Sequence, residues 1–317
     1  MRGLIITTTG SAYRVLLDKG ETIEAHVKGN FRVKGIRSTN PVAVGDYVQV
    51  ETLPDGTNWI TDIDERRNYI IRRSTNLSRE SHILAANIDQ VALIVTLHHP
   101  ITSTTFIDRF LATAEAYRVP ALLIFNKIDL LSPEQQQELD ALRNLYESIG
   151  YSTLAISAIH LSEDNTPAHT LLNTIAQQLS GKVTLLSGNS GVGKSTLLNA
   201  LLGEQVTRTG KISDAHDKGM HTTTFSAMYP LRDPLSGWII DTPGIKGFGA
   251  VQMEKEEISH YFRELFAVGR NCRYSNCLHT NEPGCAVHEA VIQNKIAMSR
   301  YESYLSLLGD VQESKYR

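Results

Sequence analysis

Cysteine is scarce in this 317-residue chain: three occur, all between positions 272 and 285. An odd number gathered in one short stretch excludes a disulfide framework and points to a metal site. Long hydrophobic runs are missing too. The longest, VALIVTL at 91–97, falls well below the roughly 18–20 residues of a membrane span and suits a buried strand. No membrane partner is expected. Arg2 alone precedes the short apolar patch near the N-terminus, too little for a secretory signal, so a cytoplasmic protein is expected. Excess charge of one sign is also absent, and a net charge of -3 argues against a chain that coats nucleic acid wholesale. No DNA partner is expected. Low-complexity tracts and internal repeats are lacking, which leaves two or three ordinary globular domains with a monomer as the default.

What is present divides into three textures. Residues 1–70 alternate short apolar stretches (YRVLL, ETIEAHV, FRVKGI, PVAVGDYVQVE, NWITDID) with Gly, Asn and Pro. Closely spaced strands of this kind predict a small β-barrel, OB-like in its PVAVGDYVQV turn and strand, with an unrelated five-stranded barrel as the alternative. Its basic residues Lys28, Arg32, Lys34 and Arg37, with Phe31 available to stack, suit an RNA backbone; the same run also suits a solvated strand face. Residues 71–250 alternate apolar strands (VALIVT, ALLIF, TLAIS, VTLLS, GWIID) with helical patterns at 105–118, 132–150 and 169–179. This is the pattern of an α/β fold with a mainly parallel, doubly wound sheet. Residues 251–317 hold a short helix, the cysteine cluster and a helix around 286–308. So small a segment would profit from a metal staple.

Gly188-Asn189-Ser190-Gly191-Val192-Gly193-Lys194-Ser195-Thr196 follows the strand VTLLS and opens a helix, the context a P-loop requires. Its glycines let backbone N–H groups wrap phosphates, and the helix N-terminus adds positive potential. Lys194 is expected to reach the β- and γ-phosphates and support catalysis, with the Ser195 hydroxyl on Mg²⁺. Asn126-Lys127-Ile128-Asp129 follows the strand ALLIF and selects the base. A carboxylate at Asp129 accepts from guanine N1–H and its exocyclic amine, donors that adenine lacks. Sites built on such bonds discriminate by about 10⁴ or more. Asn126 would contact the other edge of the base and Lys127 would pack beneath the ring. Ser157 and Ala158, at the end of the next strand, are candidates to offer a backbone N–H to the guanine oxygen.

Asp241-Thr242-Pro243-Gly244 matches D-x-x-G: Asp241 would meet Mg²⁺ through water and the Gly244 N–H would sense the γ-phosphate. Between the two motifs lies Lys218–Thr224, where Thr223, or else Thr222, would complete the Mg²⁺ shell. Ile245 stands where many GTPases carry a water-orienting glutamine, which predicts slow intrinsic turnover accelerated by a partner. His221 is the internal candidate for the missing catalytic role; a solvent-exposed or RNA-contacting histidine is the alternative. Motif order carries the most information. N-K-x-D precedes the P-loop, the reverse of ordinary GTPases, so the domain is expected to be circularly permuted, a change that neighbouring termini tolerate.

Cys272, Cys277, His279 and Cys285 form a C-x₄-C-x-H-x₅-C set, three thiolates and an imidazole suited to one structural Zn²⁺. His288 is the alternative fourth ligand.

N-K-x-D ahead of G-N-S-G-V-G-K-S-T, then G-M-H-T-T-T and D-T-P-G-I, flanked by an OB-like barrel and the cysteine–histidine segment, resembles the bacterial ribosome small subunit-dependent GTPase A family along the whole chain. That resemblance implies a GTPase using GTP/GDP with Mg²⁺, acting late in assembly of the 30S subunit and stimulated by it. It also implies that the barrel and the zinc segment touch 16S rRNA. A nucleotide-gated RNA-binding module, in which hydrolysis is incidental, is the rival reading; a translocating translation factor is disfavoured by the small size.

Overall fold

The computed structural model describes residues 1–9, 12–27, 41–73, 81–161, 167–203, 226–231, 236–241 and 253–314. The first five strands are β1 (Arg2–Thr8), β2 (Tyr13–Leu17), β3 (Thr22–Val27), β4 (Tyr47–Thr52) and β5 (Asn58–Ile63). Neighbouring pairs β1–β2, β2–β3, β5–β4 and β4–β1 are antiparallel, β3–β5 is parallel, and the circuit closes into a five-stranded barrel. Closure leaves no free edge. Alternate residues point inward: Ile5, Tyr13, Val15, Leu17, Ala25, Val48, Val50 and Ile60 fill the centre.

A hairpin of β6 (Tyr69–Arg73) and β7 (Ser81–Ala86) leads into an α/β sheet. Its strands are β8 (Gln90–Val95), β9 (Ala121–Phe125), β10 (Ser152–Ala155), β11 (Val183–Gly188), β12 (Ala227–Pro230) and β13 (Trp238–Asp241). Their spatial order is β10-β9-β8-β11-β13-β12, with only β12 antiparallel. The P-loop strand β11 therefore lies inside the sheet, between strands that precede and follow it in the chain. Period-two alternation splits the core. Val91, Leu93, Val95, Leu123 and Phe125 face α1 (Thr104–Ala116) and α2 (Pro133–Ser148). Ala92, Ile94, Leu122 and Ile124 face α3 (Pro167–Leu179) and α4 (Lys194–Leu202). Both faces are covered, which is why these strands read as unbroken apolar runs. Local signals set the helix ends: Ser103 caps α1, and Ser132 with Gln135 forms a capping box on α2 beside Pro133. The sheet continues into the barrel where Thr7 of β1 pairs with Ala227 of β12.

The C-terminal segment contains α5 (Arg263–Gly269), α6 (Ala286–Ile292) and α7 (Met298–Ser314). The single helix expected around 286–308 is thus two. Asn294 (φ 56) takes the left-handed conformation, Lys295 N–H donates to the Ala290 carbonyl at 2.8 Å, and Asn294 N–H donates to that of Val291 at 3.0 Å. This Schellman motif ends α6 with asparagine in place of the usual glycine. The segment does not build its core alone, because Ala112 of α1 belongs to the same buried cluster as Phe262, Leu265, Val287 and Tyr304.

Arginines fasten that contact. Arg300, 1% exposed, donates to Asp108 of α1 at 2.8 Å and to Glu264 at 2.6 and 3.1 Å. Tyr146 of α2 also donates to Asp108, at 2.8 Å. Burial opposes the arginine's charge, but Glu264 and Asp108 outweigh it and raise its pKa. Arg263 pairs with Glu115 at 2.7 Å, donates to the Gly150 carbonyl at 2.7 Å and lies 4.1 Å from the centre of the Tyr151 ring. Among the described residues no helix is long and apolar enough to cross a membrane.

Arg300→Met leaves the buried Asp108 and the part-buried Glu264 without their cation and is expected to cost about 3–5 kcal/mol, read from denaturant unfolding. A change within about 0.5 kcal/mol would show that this network contributes little.

Candidate functional site

Three loops meet at the C-terminal ends of β8, β9 and β11, where doubly wound sheets bind ligands. The loop after β11 turns through Gly191 (φ +83) and Gly193 (φ +95) before α4 begins. A Cβ at Gly193 would sit 2.3 Å from Nδ2 of Asn126, and one at Gly188 would sit 2.7 Å from the Ile94 carbonyl. Glycine is needed at the first for its left-handed backbone and at both for close approach. Val192 turns the other way and is fully buried among α3 and α4 residues.

Asn126, 4% exposed, is the centre of the arrangement. Its Nδ2 donates to the Val192 carbonyl at 2.8 Å, and its Oδ1 accepts from the Ala158 N–H at 2.9 Å. One side chain thereby ties the N-K-x-D loop to the P-loop and to the S-A-x turn. Ser157 adds a second tie, its Oγ accepting from the Asp129 N–H at 3.1 Å. Lys127 adopts φ 64, and its Nζ donates to the His99 carbonyl at 2.7 Å. The Asp129 side chain is exposed at the rim. Lys194 pairs with Asp241, the last residue of β13. The P-loop, N-K-x-D, S-A-x and the start of D-x-x-G are therefore gathered around one end of the sheet. Thr222, Thr223, His221, Gly244 and Ile245 lie outside the described residues, as do Lys28, Phe31, Arg32, Lys34 and Arg37.

Fold and site define a circularly permuted P-loop GTPase. The profile of the RsgA GTPase family matches residues 63–251, and that of the RsgA N-terminal domain matches residues 2–60. The chain belongs to the RsgA GTPase family and is a GTP hydrolase. It is 58% identical over 318 residues to the small ribosomal subunit biogenesis GTPase RsgA of Phocaeicola vulgatus, covering 100% of this chain and 99% of that one. It is 53% identical over 320 residues to the protein of the same name from Porphyromonas gingivalis, again covering 100% and 99%. Among solved structures, YjeQ from Thermotoga maritima superposes with a TM-score of 0.73 at 30% identity over 98% of each chain. YloQ, a circularly permuted GTPase, gives 0.72 at 26% identity over 100% of this chain and 96% of its own.

The second cluster is in the C-terminal segment. One ligand atom each from Cys272, Cys277, His279 and Cys285 lies within 4.8 Å of all the others, so the four could hold a metal ion. His279 Nδ1 is 3.5 Å from the sulfurs of both Cys272 and Cys285. Ligands about 2.0–2.3 Å from a tetrahedral ion stand roughly 3.5–3.8 Å apart, so the spacing fits. His288 does not join them: its ring lies tilted beside Tyr301, centroids 6.2 Å apart, and its backbone N–H reaches Cys285 at 3.3 Å. Burial pushes the Cys277 thiol up to about 12, and burial also lowers the His279 pKa. Around the ligands, Tyr301 and Tyr304 donate to the carbonyls of His279 and Leu278. Burial works against the Glu282 carboxylate, yet the N–H groups of Leu278 and Thr280 hold its pKa at about 2. The two tyrosines could not be read from residue spacing, because their pairing depends on how α7 crosses the loop.

Asn126→Ala orphans a buried carbonyl and a buried amide and is expected to cost at least about 2 kcal/mol. Native-state hydrogen exchange at the Ala158 amide should then accelerate; unchanged protection there would show that another partner satisfies it.

Proposed function

We propose that this GTPase acts in late maturation of the small ribosomal subunit, binding 16S rRNA and hydrolysing GTP to GDP with stimulation by the 30S particle. What carries the reading is likeness along the entire chain, at 58% identity, to a protein named for small ribosomal subunit biogenesis. The chain is read as three units: an RNA-binding barrel (1–70), the permuted GTPase domain (71–250) and a zinc-binding segment (251–317). The protein is taken to act as a cytoplasmic monomer.

Within the site, residues Gly188 to Thr196 cradle the phosphates, with Lys194 on the β- and γ-oxygens. Ser195 and Thr223 would hold Mg²⁺ with Asp241 beside them, and the Gly244 N–H would sense the γ-phosphate. Lys194 and Asp241, paired here, would turn apart when nucleotide binds, the ammonium to phosphate oxygens and the carboxylate to the side of the metal. Asp129 reads guanine, Asn126 and the Ala158 backbone frame its other edge, Ser157 supports Asp129, and Lys127 lies beneath the ring. His221 takes the place of the missing water-orienting glutamine. Cys272, Cys277, His279 and Cys285 take one Zn²⁺, whose closed donor set is structural in kind.

Steady-state GTP turnover with purified 30S subunits, 50S subunits or free RNA tests the proposal. Stimulation by 30S alone is expected; equal stimulation by 50S or free RNA, or none at all, overturns the small-subunit role. Asp129→Asn should weaken GTP binding about 100-fold or more. Xanthosine triphosphate should gain instead, since its O2 accepts from the new amide; unchanged GTP preference would sink the base-reader assignment. The purified protein should contain one Zn²⁺ per chain, and stripping it with a chelator should expose three reactive thiols and lower the unfolding temperature. A metal-free protein of equal stability would count against the zinc site.

A further inference from the structure

Thr96 directly follows β8 inside the protein, 1% exposed, where nothing about the P-loop or base-reader motifs calls for a hydroxyl. Its Oγ donates to the Pro100 carbonyl at 2.5 Å. Its own N–H donates to Thr102 Oγ at 3.3 Å, and the Thr102 N–H returns to the Thr96 carbonyl at 3.0 Å. Thr102 is 6% exposed. The two threonines thus clamp a tight loop, Leu97–Ile101, whose tip projects toward the nucleotide site. At that tip His99 is left-handed (φ 59), as is Lys127 (φ 64), and the His99 carbonyl accepts from Lys127 Nζ at 2.7 Å. Left-handed residues other than glycine cost roughly 1 kcal/mol or more and collect at ligand clamps. The next residue, Pro100, lies beside the P-loop: a Cβ at Gly191 would be 3.6 Å from its Cδ.

We infer that Thr96, through the His99 carbonyl, is a positioning residue for Lys127 in guanine-nucleotide binding. A lysine stem has four rotatable carbons and an ammonium that is free to swing. Anchoring the ammonium on a fixed carbonyl lays the stem along one line, ready to pack beneath the purine before the nucleotide arrives. The ordering cost is then met by the folded loop and not by binding. The inference rests on the proposed assignment of Lys127 beneath the guanine ring.

The test is GDP affinity of the full chain in Mg²⁺ by calorimetry, alongside steady-state GTP hydrolysis. Thr96→Val should raise Kd and KM about five- to tenfold, the effect of one lost hydrogen bond, with kcat held within about twofold. Thr96→Ser, which keeps the hydroxyl, should restore the affinity. In a Lys127→Met background Thr96→Val should have no further effect, because Thr96 acts through the lysine. Thr102→Val opens the same clamp from its other end and carries the same expectations should Thr96→Val fold poorly. An unchanged Kd in a folded clamp variant overturns the inference, and so does an effect that persists in full without Lys127. Failure of the underlying assignment is distinguishable, since Asp129→Asn would then leave guanine preference intact.

Discussion

The buried carboxamide of Asn126, donating to the Val192 carbonyl and accepting from the Ala158 N–H, joins three loops that the chain reaches in separate passes, and the site depends on that junction. Each loop alone would be a surface turn with its own freedom. Both bonds are shielded from water, where losing one partner strands the other at the full desolvation cost. Close approach of the P-loop is possible because Gly193 has no Cβ to strike the amide. A carboxamide is required here: it donates and accepts at once, which neither a carboxylate nor a hydrocarbon can do.

Permutation leaves this junction untouched. The parallel sheet is held by strand pairing and two-sided packing, neither of which depends on the order in which strands are connected. What permutation changes is where the chain goes next. After Asp241 at the end of β13 the path resumes, within the described residues, at Met253 in the core of the C-terminal segment. That segment is fixed to α1 by Arg300 with Asp108, which Tyr146 of α2 also bonds, and by Arg263 with Glu115. Moving it would expose buried charges, so α1 and the cysteine–histidine cluster behave as neighbours in one packed unit.

Much of this was legible in the residues. The apolar runs at 91–95, 121–125 and 183–188 are strands because their two faces are both buried, and Ser132-Pro133 marks the start of α2 through cap chemistry. Other elements were not legible. β12, only Ala227–Pro230, is too short for any periodicity and is set by pairing with β13 and β1. The break between α6 and α7 rests on a left-handed Asn294, and asparagine signals that conformation far less strongly than glycine does. His279 was the first choice as fourth ligand from spacing alone; what the residues could not give is that its Nδ1 stands 3.5 Å from the sulfurs of Cys272 and Cys285 while the His288 ring lies beside Tyr301.

The class of chemistry was already written in local patterns: the spacing of Gly188 to Ser195, the Asn-Lys-x-Asp at 126–129 and their inverted order needed no coordinates, because local backbone geometry and side-chain type suffice for each. Which groups satisfy one another across the chain is a matter of three-dimensional packing. Asn126 meeting Val192 and Ala158, Thr96 holding the loop that braces Lys127, and Arg300 reaching Asp108 are pairings between residues from four to 192 positions apart. Such contacts leave no periodic trace, since they arise only when packing brings a buried donor within reach of a buried acceptor.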